Sequence, residues 1–376
     1  MTDGAELFVA CAPGLEGLLA EEIRELELTG AKLTDEAGGV TLVLEARPLD
    51  AIARLNLELG VAAQVRWRLG RFRATRLPEL VKKTSRLGWQ ALLTPERSLR
   101  IRASAKKSRL YHTGAIAERV RAGVADALGA APPEAGDDEG DAVVVHARLV
   151  RDEVVLSVDT SGAPLHRRGY RLASAKAPLR EDLARALIRA SGWDAATPFV
   201  DPFCGSGTLP IEAALLARRL PPGRGRSFAF EAFPGGPASR AAAERGAAAR
   251  VAAATPPIHG SDRDAGAVHA ACENAARAGV AEDLTLSHAA LSAAPGLALP
   301  VAPVGAVVTN PPWGARIGGD LRALYQRLGS LLAELPEGWR VAMAAGDPRL
   351  ARRVGRPLRL ALQTRAGGRK AVFLVG

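Results

Sequence analysis

The four residues Asn-Pro-Pro-Trp at positions 310–313 follow an apolar, β-branched run, 304–309, of the kind that forms buried central strands. The two prolines have no N–H to donate, so the chain must leave the sheet there. The side-chain oxygen of Asn310 and the backbone carbonyls of Asn310 and Pro311 can accept the hydrogens of an exocyclic amine. The lone pair of that amine would then face a methyl donor, and catalysis would rest mostly on positioning.

The indole of Trp313 can stack on the base that carries this amine. A rigid turn closed by a core aromatic is the structural alternative. An Asn before two prolines is poor core material, which favours a functional turn. The predicted catalytic residues are Asn310, Pro311, Pro312 and Trp313.

A glycine-rich turn, DPFCGSGT at 201–208, follows another short apolar run and opens a helical pattern. Gly205 and Gly207 permit a sharp bend and the close approach of a ligand. Asp201 lies at the predicted strand end, where doubly wound sheets bind ligands. The spacing differs from that of dinucleotide-binding turns, and no Lys follows the glycines as in a P-loop. An acid before such a turn suits a cationic nucleoside such as S-adenosylmethionine, and a glycine-rich helix cap is the alternative.

A second acidic turn, GSDRD at 260–264, ends the next predicted strand. A carboxylate there can accept both ribose hydroxyls of a nucleoside, and we favour Asp262 for this contact. The alternative is that Ser261, Asp262 or Asp264 caps the helix that follows. The predicted cofactor contacts from these motifs are Asp201, Phe203, Cys204, Gly205, Gly207, Thr208, Asp262, Arg263 and Asn310.

Positive charge is concentrated in one part of the 376-residue chain. Residues 61–125 hold 16 basic and 3 acidic side chains, whereas residues 1–60 hold 4 and 12, and residues 126–165 hold 2 and 9. Such a block between acidic flanks indicates a polyanion-binding surface, and nucleic acid is favoured over a merely solvated basic face. The predicted RNA contacts are Arg66, Arg68, Arg71, Arg73, Lys82, Lys83, Arg102, Lys106, Lys107 and Arg109.

The composition is that of a soluble globular protein, with 48% hydrophobic and 24% charged residues and no uncharged apolar run of membrane-spanning length. The cysteines, Cys11, Cys204 and Cys272, lack the spacing of metal ligands. We therefore expect a reduced, cytoplasmic setting, no metal and no membrane association, and we favour a monomer.

The order of the predicted elements indicates an α/β protein of three parts. Residues 1–75 have the β-α-β-β-α-β order of a ferredoxin-like domain. Residues 76–160 form a second α+β part, and 161–176 is a polar, basic linker. Over 177–376, strands alternate with helices, which is typical of a doubly wound, Rossmann-like domain. The elements predicted for the second part are a helix over 77–93, a strand over 99–108, a helix over 114–129 and a hairpin over 142–159.

The stretches DPFCGSGT, GSDRD and TNPPWG, in that order, resemble the class I S-adenosylmethionine-dependent methyltransferases that modify exocyclic amines. The segments LHRRGYR and APLRE, and the long stretch before GSDRD, resemble a narrower group, the THUMP-domain RNA guanine 2-amino methyltransferases. This resemblance covers nearly the whole chain. It implies that 76–160 is a THUMP domain, that 177–376 is the catalytic domain, and that the basic block binds RNA.

The same resemblance implies roles for single residues. The base would be held by 310–313, and the ribose of the cofactor by Asp262. Glu181 in APLRE would lie near the methionine end of S-adenosylmethionine. The residues implied to cradle the cofactor are Asp201, Gly205 and Gly207.

Two positions depart from the family pattern. Where the family usually has an Asp that touches the adenine amino group, this chain has His288, Ala289 and Ala290. Adenine recognition would then be weaker or would use the backbone. Trp313 replaces the commoner Tyr, which should preserve stacking.

The resemblance thus implies methyl transfer from S-adenosylmethionine to the 2-amino group of a guanine, with 23S ribosomal RNA preferred as the substrate. A tRNA guanine is the first alternative. Methylation of a DNA adenine or a protein glutamine amide uses similar N-P-P-aromatic turns, but the basic N-terminal half argues against it. A non-catalytic RNA-binding protein is the remaining alternative, supported only by Ala289 and Ala290.

Overall fold

The computed structural model describes residues 4–136, 142–172, 179–297, 302–313 and 321–376. The predicted start of a helix at Ala177 and part of the predicted linker fall outside these residues. The described chain forms two seven-stranded sheets, one in each half. This arrangement confirms the predicted α/β class, with a ferredoxin-like N-terminal unit and a doubly wound C-terminal domain.

The N-terminal sheet consists of β1 (Ala5–Ala10), β2 (Lys32–Glu36), β3 (Gly39–Leu44), β4 (Gln64–Arg73), β5 (Leu99–Lys106), β6 (Val143–Val150) and β7 (Glu153–Asp159). Its strand order is β2-β3-β1-β4-β7-β6-β5, and all its pairs except β5 with β6 are antiparallel. Strand β4 pairs with both β1 and β7. The ferredoxin-like unit and the second α+β part therefore share one continuous sheet.

The helices of this half are α1 (Glu16–Glu25), α2 (Pro48–Glu58), α3 (Leu77–Thr84) and α4 (Thr113–Leu128). They bury one apolar side each against the sheet, as Leu19, Ile52 and Ile116 illustrate. Alternate residues of β5 such as Arg102 and Lys106 are exposed. In the part formed by β5 and β6, the helices thus cover one face of the sheet and leave the other open to solvent.

The predicted helix over 77–93 is wrong in its second half. Helix α3 ends at Thr84, and a separate 3-10 turn follows at Trp89–Ala91. The fully buried Trp89 folds back so that its indole N–H donates to the carbonyl of Thr84 at 2.8 Å. Gly88 before this turn is a poor helix former, which helps to explain the break.

A β-bulge interrupts the pairing of β4 with β7. The register shifts by one residue between Arg68 and Gly70, so Leu69 has no opposite partner. Without this bulge, residues three apart would lie on opposite faces. With it, the arginines of β4 share the open face: Arg66, Arg68, Arg71 and Arg73.

The C-terminal sheet consists of β8 (Phe199–Asp201), β9 (Ile258–Asp262), β10 (Thr285–His288), β11 (Val304–Thr309), β12 (Gly338–Ala345), β13 (Arg359–Ala366) and β14 (Arg369–Val375). The order is β10-β9-β8-β11-β12-β14-β13, and the first five strands are parallel. Strand β14 runs antiparallel to both of its neighbours. Sequence reasoning missed β13, whose residues are mostly exposed.

The helices of the C-terminal half are α5 (Glu181–Ala190), α6 (Thr208–Ala217), α7 (Gly236–Ala248), α8 (Ala265–Arg277), α9 (Leu321–Ala333) and α10 (Pro348–Ala351). Strand β8 leads directly into α6, and β9 into α8, as the motifs predicted. Among the described residues, none of the helices has both the length and the apolar character that crossing a membrane requires.

The long stretch before GSDRD, 221–257, contains α7 and packs against the N-terminal half. The hydroxyl of Ser239 donates to Asp50 on α2 at 2.8 Å. The backbone N–H of Phe230 donates to the carbonyl of Thr160 at 3.0 Å. This segment of the C-terminal half therefore packs against the N-terminal half and supports it.

A buried ionic cluster joins the linker to both halves. The Arg168 guanidinium donates to the carbonyl of Gly60 and approaches the Glu212 carboxylate on α6, with 3.5 Å between Nε and Oε1. Glu212 is fully buried and also accepts hydrogen bonds from Tyr170 at 3.2 Å and from Arg185 at 3.0 Å. Partners on every side offset the cost of burying this carboxylate, and the cluster fixes the linker in place.

Candidate active site

Three polar turns meet at one edge of the C-terminal sheet. Strand β8 lies between β9 and β11, and all three run in parallel. Their carboxyl ends therefore share one edge, the usual ligand-binding place of such sheets. Asp201 ends β8, Asp262 ends β9, and Asn310 follows β11. The structure thus brings the three predicted motifs together.

Asp201 links two of these strand ends. One of its carboxylate oxygens accepts a hydrogen bond from the Thr309 hydroxyl at 2.6 Å and another from the Phe203 backbone N–H at 3.1 Å. Its side chain is buried, and burial raises its pKa to about 7, although the two hydrogen bonds oppose the rise. A carboxyl group in this state would gain from a nearby positive charge.

Asp262 links the glycine-rich turn to β9. One oxygen of its carboxylate accepts from the Gly205 backbone N–H at 3.0 Å, and the other accepts from the Asp264 N–H at 3.0 Å. Helix α8 is capped by Asp264, which accepts from the N–H of Gly266 at 2.9 Å. Of the three candidates for the helix cap, the structure therefore confirms Asp264, and Asp262 is not the cap. Its carboxylate has further acceptor capacity toward a ribose.

The two glycines of the turn have different surroundings. Both have positive φ, +52° at Gly205 and +85° at Gly207. A Cβ on Gly205 would meet nothing within 4 Å, so a ligand can approach this backbone closely. A Cβ on Gly207 would lie 2.9 Å from the Cβ of Ala271 on α8, so this glycine permits helix packing. Ser206 between them is buried, and its hydroxyl has no partner among the described residues.

Three further predicted cofactor contacts, Phe203, Cys204 and Thr208, have side chains that are buried or partly buried. Cys204 packs under Gly260 of β9, and burial raises the pKa of its thiol. Thr208 is buried as the first residue of α6, and the partly buried Phe203 packs against the hydrophobic core of the C-terminal half. Burial leaves the side chains of Cys204 and Thr208 little surface for a cofactor, so a contact at these two residues would use the backbone.

Arg263 and His288 lie at the neighbouring strand ends. The Arg263 side chain is exposed, while its carbonyl lies 3.0 Å from Nε2 of His288. The N–H of Ala289 donates to the Asp262 carbonyl at 3.0 Å. The Ala289 backbone is therefore already engaged and is not a free donor for an adenine.

The Trp313 indole bonds Asn310 through its edge. Its Nε1–H donates to Oδ1 of Asn310 at 2.8 Å. Because an indole nitrogen can only donate, this bond fixes which end of the Asn310 amide faces it. The amide oxygen keeps a second lone pair for an incoming amine. No described residue donates to the Pro311 carbonyl. Sequence reasoning did not predict this indole N–H bond, and the role of these oxygens as acceptors for an amine stays a prediction.

Other residues hold the turn in place and were missed by sequence reasoning. A Cβ on Gly346, directly after β12, would lie 2.5 Å from Cε3 of Trp313, so the ring lies against this glycine. The Tyr325 hydroxyl donates to the carbonyl of Pro312 at 3.3 Å. The polar Thr309 at the end of an apolar strand was a usable signal, whereas nothing in the sequence marked Gly346.

Glu181 is engaged by the linker. Its carboxylate forms a two-pronged ion pair with Arg171, with distances of 2.9 Å and 2.6 Å. Glu181 is buried, and burial raises its pKa while Arg171 opposes that rise. Its predicted position near the methionine end of the cofactor stays a prediction.

The ten predicted RNA contacts are not brought to one surface. Six lie on the open face of the N-terminal sheet, namely Arg66, Arg68, Arg71, Arg73, Arg102 and Lys106. Lys82 and Lys83 belong to α3 on the helical side, and Lys107 and Arg109 follow β5. Arg68 is largely unavailable, since ion pairs with Glu6 and Glu36 leave its side chain 8% exposed.

No cluster of three or more His, Cys, Asp or Glu side chains that could hold a metal ion occurs within the described ranges.

Comparisons with known proteins show the family of this chain. A family described as RMKL-like, methyltransferase domain matches residues 168–365, and the RlmL ferredoxin-like domain matches residues 6–66. The protein named ribosomal RNA large subunit methyltransferase K/L is 36% identical in Chromohalobacter salexigens and 34% identical in Marinobacter nauticus. Each match covers 93% of this chain and 49% of the relative. The chain thus spans about half the length of these curated relatives.

Solved structures resemble nearly the whole chain. SMU.472, a putative methyltransferase complexed with SAH, has a TM-score of 0.85 at 27% identity, covering 100% of this chain and 98% of that one. A predicted N6-adenine-specific DNA methylase from Listeria monocytogenes has a TM-score of 0.85 at 30% identity, covering 98% and 96%. The fold therefore extends over the N-terminal half as well as the catalytic half.

Proposed function

Because the chain belongs to the family of the RMKL-like methyltransferase domain, we propose that it methylates the exocyclic 2-amino group of a guanine in RNA, with S-adenosylmethionine as the methyl donor. 23S ribosomal RNA is the preferred substrate, and the names of the relatives, which specify RNA of the large ribosomal subunit, support this choice. The proposed setting is the cytoplasm.

The Asn310–Trp313 pair at the strand edge carries the proposal. Oδ1 of Asn310 is held by the indole at 2.8 Å and has one free lone pair, and the Pro311 carbonyl lies beside it in sequence without a described donor. Two neighbouring acceptors suit an –NH2 group better than a hydroxyl nucleophile, which offers only one hydrogen. Accepting both hydrogens would direct the nitrogen lone pair away from the turn.

The residues at the neighbouring strand ends fit S-adenosylmethionine. The open side of Gly205 admits close backbone contact, and Asp262 has acceptor capacity for ribose hydroxyls. The buried Asp201 would gain from a cationic ligand. When bound, the cofactor supplies an activated methyl group on sulfur. The protein then has to position the amine and exclude water, and it needs no metal for this.

The N-terminal half would deliver the RNA to this edge. We propose that residues 76–160 are a THUMP domain, after a ferredoxin-like domain at 1–75, and that the linker 161–176 leads to the catalytic domain at 177–376. The target guanine would be unpaired or flipped out, since a paired base cannot reach the strand edge.

The test uses tritiated S-adenosylmethionine and total RNA from a strain that lacks this gene. The RNA is separated by size and digested to nucleosides. We expect label in 2-methylguanosine from 23S RNA. RNA from the parent strain is the control, because its target should already be methylated and should accept little label.

Other outcomes would redirect the proposal. Label in tRNA would favour the tRNA alternative. Duplex DNA is assayed in parallel, because a structural relative is described as a DNA methylase; label in adenine of DNA would replace guanine as the target. Absence of label in every nucleic acid, together with no binding of S-adenosylmethionine, would support the non-catalytic alternative.

A further inference from the structure

Strand pairing aligns basic side chains across the open face of the N-terminal sheet. Arg68 on β4 pairs directly with Ser157 on β7. Ser157 pairs in turn with His146 on β6, and His146 with Arg102 on β5. Directly paired residues point to the same side of a sheet. Arg102 therefore lies on the same face as Arg68, three strands away.

A second row of pairs adds another arginine to this face. Arg71 on β4 pairs with Val155 on β7, and Val155 with Arg148 on β6. Arg66 precedes Arg68 by two residues in the same strand and so shares its side. Arg148 was missed from the sequence because it lies in a segment with net negative charge.

These arginines differ in whether a carboxylate neutralises them. Arg68 pairs with Glu6 and Glu36, and Arg71 with Glu153 at 2.6 Å. Among the residues that the structure describes, no ion pair is formed by Arg66, Arg102 or Arg148.

The surroundings of Arg66 show how closely the positive charges gather. Burial lowers its pKa, and the positive charges of Arg68, Arg102 and Arg148 lower it further, while Asp159 opposes them. Asp159 is itself occupied by Gln64 and by backbone N–H groups.

The pKa of His146 also shows that positive charges lie close together on this face. Burial and the charges of Arg66 and Arg102 lower its pKa to about 4, so it stays neutral at physiological pH. Its Nε2 is buried and has no hydrogen-bond partner among the described residues. Gathering like charges around such a group opposes folding, which indicates an anionic partner.

We propose that Arg66, Arg102 and Arg148 form the phosphate-binding surface that holds the RNA backbone, and that Arg68 and Arg71 brace it through their ion pairs. Guanidinium groups suit this role because they bind phosphate oxygens in pairs and stay charged. Contacts of this kind hold RNA without reading its sequence. The proposal rests on RNA being the substrate, and it assigns the binding to one face of the sheet.

The test compares two double variants that remove equal charge. Arg102→Ala/Arg148→Ala removes two exposed arginines from the open face. Arg86→Ala/Arg119→Ala removes two exposed arginines from the helical side. The probe is a labelled RNA hairpin of arbitrary sequence, and its Kd is measured at several salt concentrations.

For the open-face variant we expect a Kd at least about tenfold weaker near physiological salt. The slope of log K against log salt should fall by about two, one for each lost phosphate contact. The helical-side control should change Kd by less than about twofold. The melting temperature of the open-face variant should not fall, because the change relieves repulsion between like charges.

Equal weakening in both double variants would overturn the assignment, because it would show only a long-range effect of net charge. Unchanged affinity in the open-face variant would overturn it as well. Either result leaves the proposed function intact if the wild type still labels RNA with tritium. If the wild type labels no RNA, the proposed function fails whatever the binding data show.

Discussion

The N-terminal sheet carries its candidate RNA contacts on an open face, whereas the C-terminal sheet carries its candidate catalytic groups at the ends of three strands. On the face, the arginines are repeated along and across strands and several are exposed. At the edge, each polar group occurs once and is tied to a partner, as Asp201 is to Thr309 and Asn310 is to Trp313. The open face of the N-terminal sheet thus offers many weak contacts to RNA, whereas the strand ends of the C-terminal sheet offer a few polar groups in fixed positions.

This difference predicts how each region tolerates change. A phosphate-binding face should lose affinity gradually, because each cation contributes a similar share. A strand edge that positions an amine should fail at a single substitution, because a small displacement there removes the reacting geometry. The following variants test the comparison, from the largest expected effect to the smallest.

Asn310→Ala should lower the rate of methyl transfer by about 10³-fold, because it removes one of two acceptors for the amine. RNA affinity should stay within about twofold, since the phosphate contacts lie on the other sheet. Single-turnover transfer of tritium and hairpin binding are measured on the same protein. Transfer within tenfold of wild type would refute the role of Asn310.

Gly346→Ala should lower the rate by about 10²-fold, since the new Cβ would lie 2.5 Å from Cε3 of Trp313 and displace the indole. Cofactor affinity should be retained. Gly246→Ala is the matched control, because a Cβ there meets nothing within 4 Å. Equal losses in both variants would argue against a specific effect at the turn.

Asp201→Asn should change the pH dependence of stability. The pKa of Asp201 is raised from 3.8 to about 7 in the folded protein. The folded state therefore binds more protons than the unfolded state between these values, and wild-type stability falls as pH rises through this window. The slope should be at most about 1.4 kcal/mol per pH unit, and the variant should lack it.

Urea unfolding at a series of pH values gives the free energy of unfolding of each protein, and the difference between wild type and Asp201→Asn follows from these values. That difference should be constant below pH 3.8 and above about 7. A difference that did not vary with pH across the window would contradict the raised pKa.

Trp313→Phe should lower the rate by about fivefold, because it removes one neutral hydrogen bond and keeps an aromatic ring. The loss should appear in kcat rather than in KM for the cofactor. Trp193→Phe is the control, since the Trp193 indole donates to a backbone carbonyl away from the strand edge. A rate change of equal size in that control would indicate a general loss of stability.

Much of the catalytic half could be predicted from sequence because its motifs are local. Strand, glycine turn and helix follow one another along the chain, and the family match confirms a methyltransferase domain. The partners of the motifs were harder to predict. Gly346 contacts Trp313 only after β12 has been placed beside β11, and no local pattern encodes that pairing.

In the N-terminal half, too, the sequence predicted a local feature but not its position in the folded sheet. A charge count found the basic block but could not divide it between the two faces of the sheet. That division depends on the bulge at Leu69, which keeps Arg71 on the face of Arg68. The count also excluded Arg148, because this arginine lies in a sequence segment whose net charge is negative. The predicted helix over 77–93 failed because the chain turns after α3, where the Trp89 indole bonds the carbonyl of Thr84.

The contacts between residues 221–257 and the N-terminal half determine whether the two halves can be produced separately. Produced without the N-terminal half, the catalytic half would lose the partners of Phe230 and Ser239 and leave the apolar side of that segment in water. Such a fragment should aggregate. An exchange of RNA-binding halves between relatives would therefore have to carry this segment along with the half that it supports.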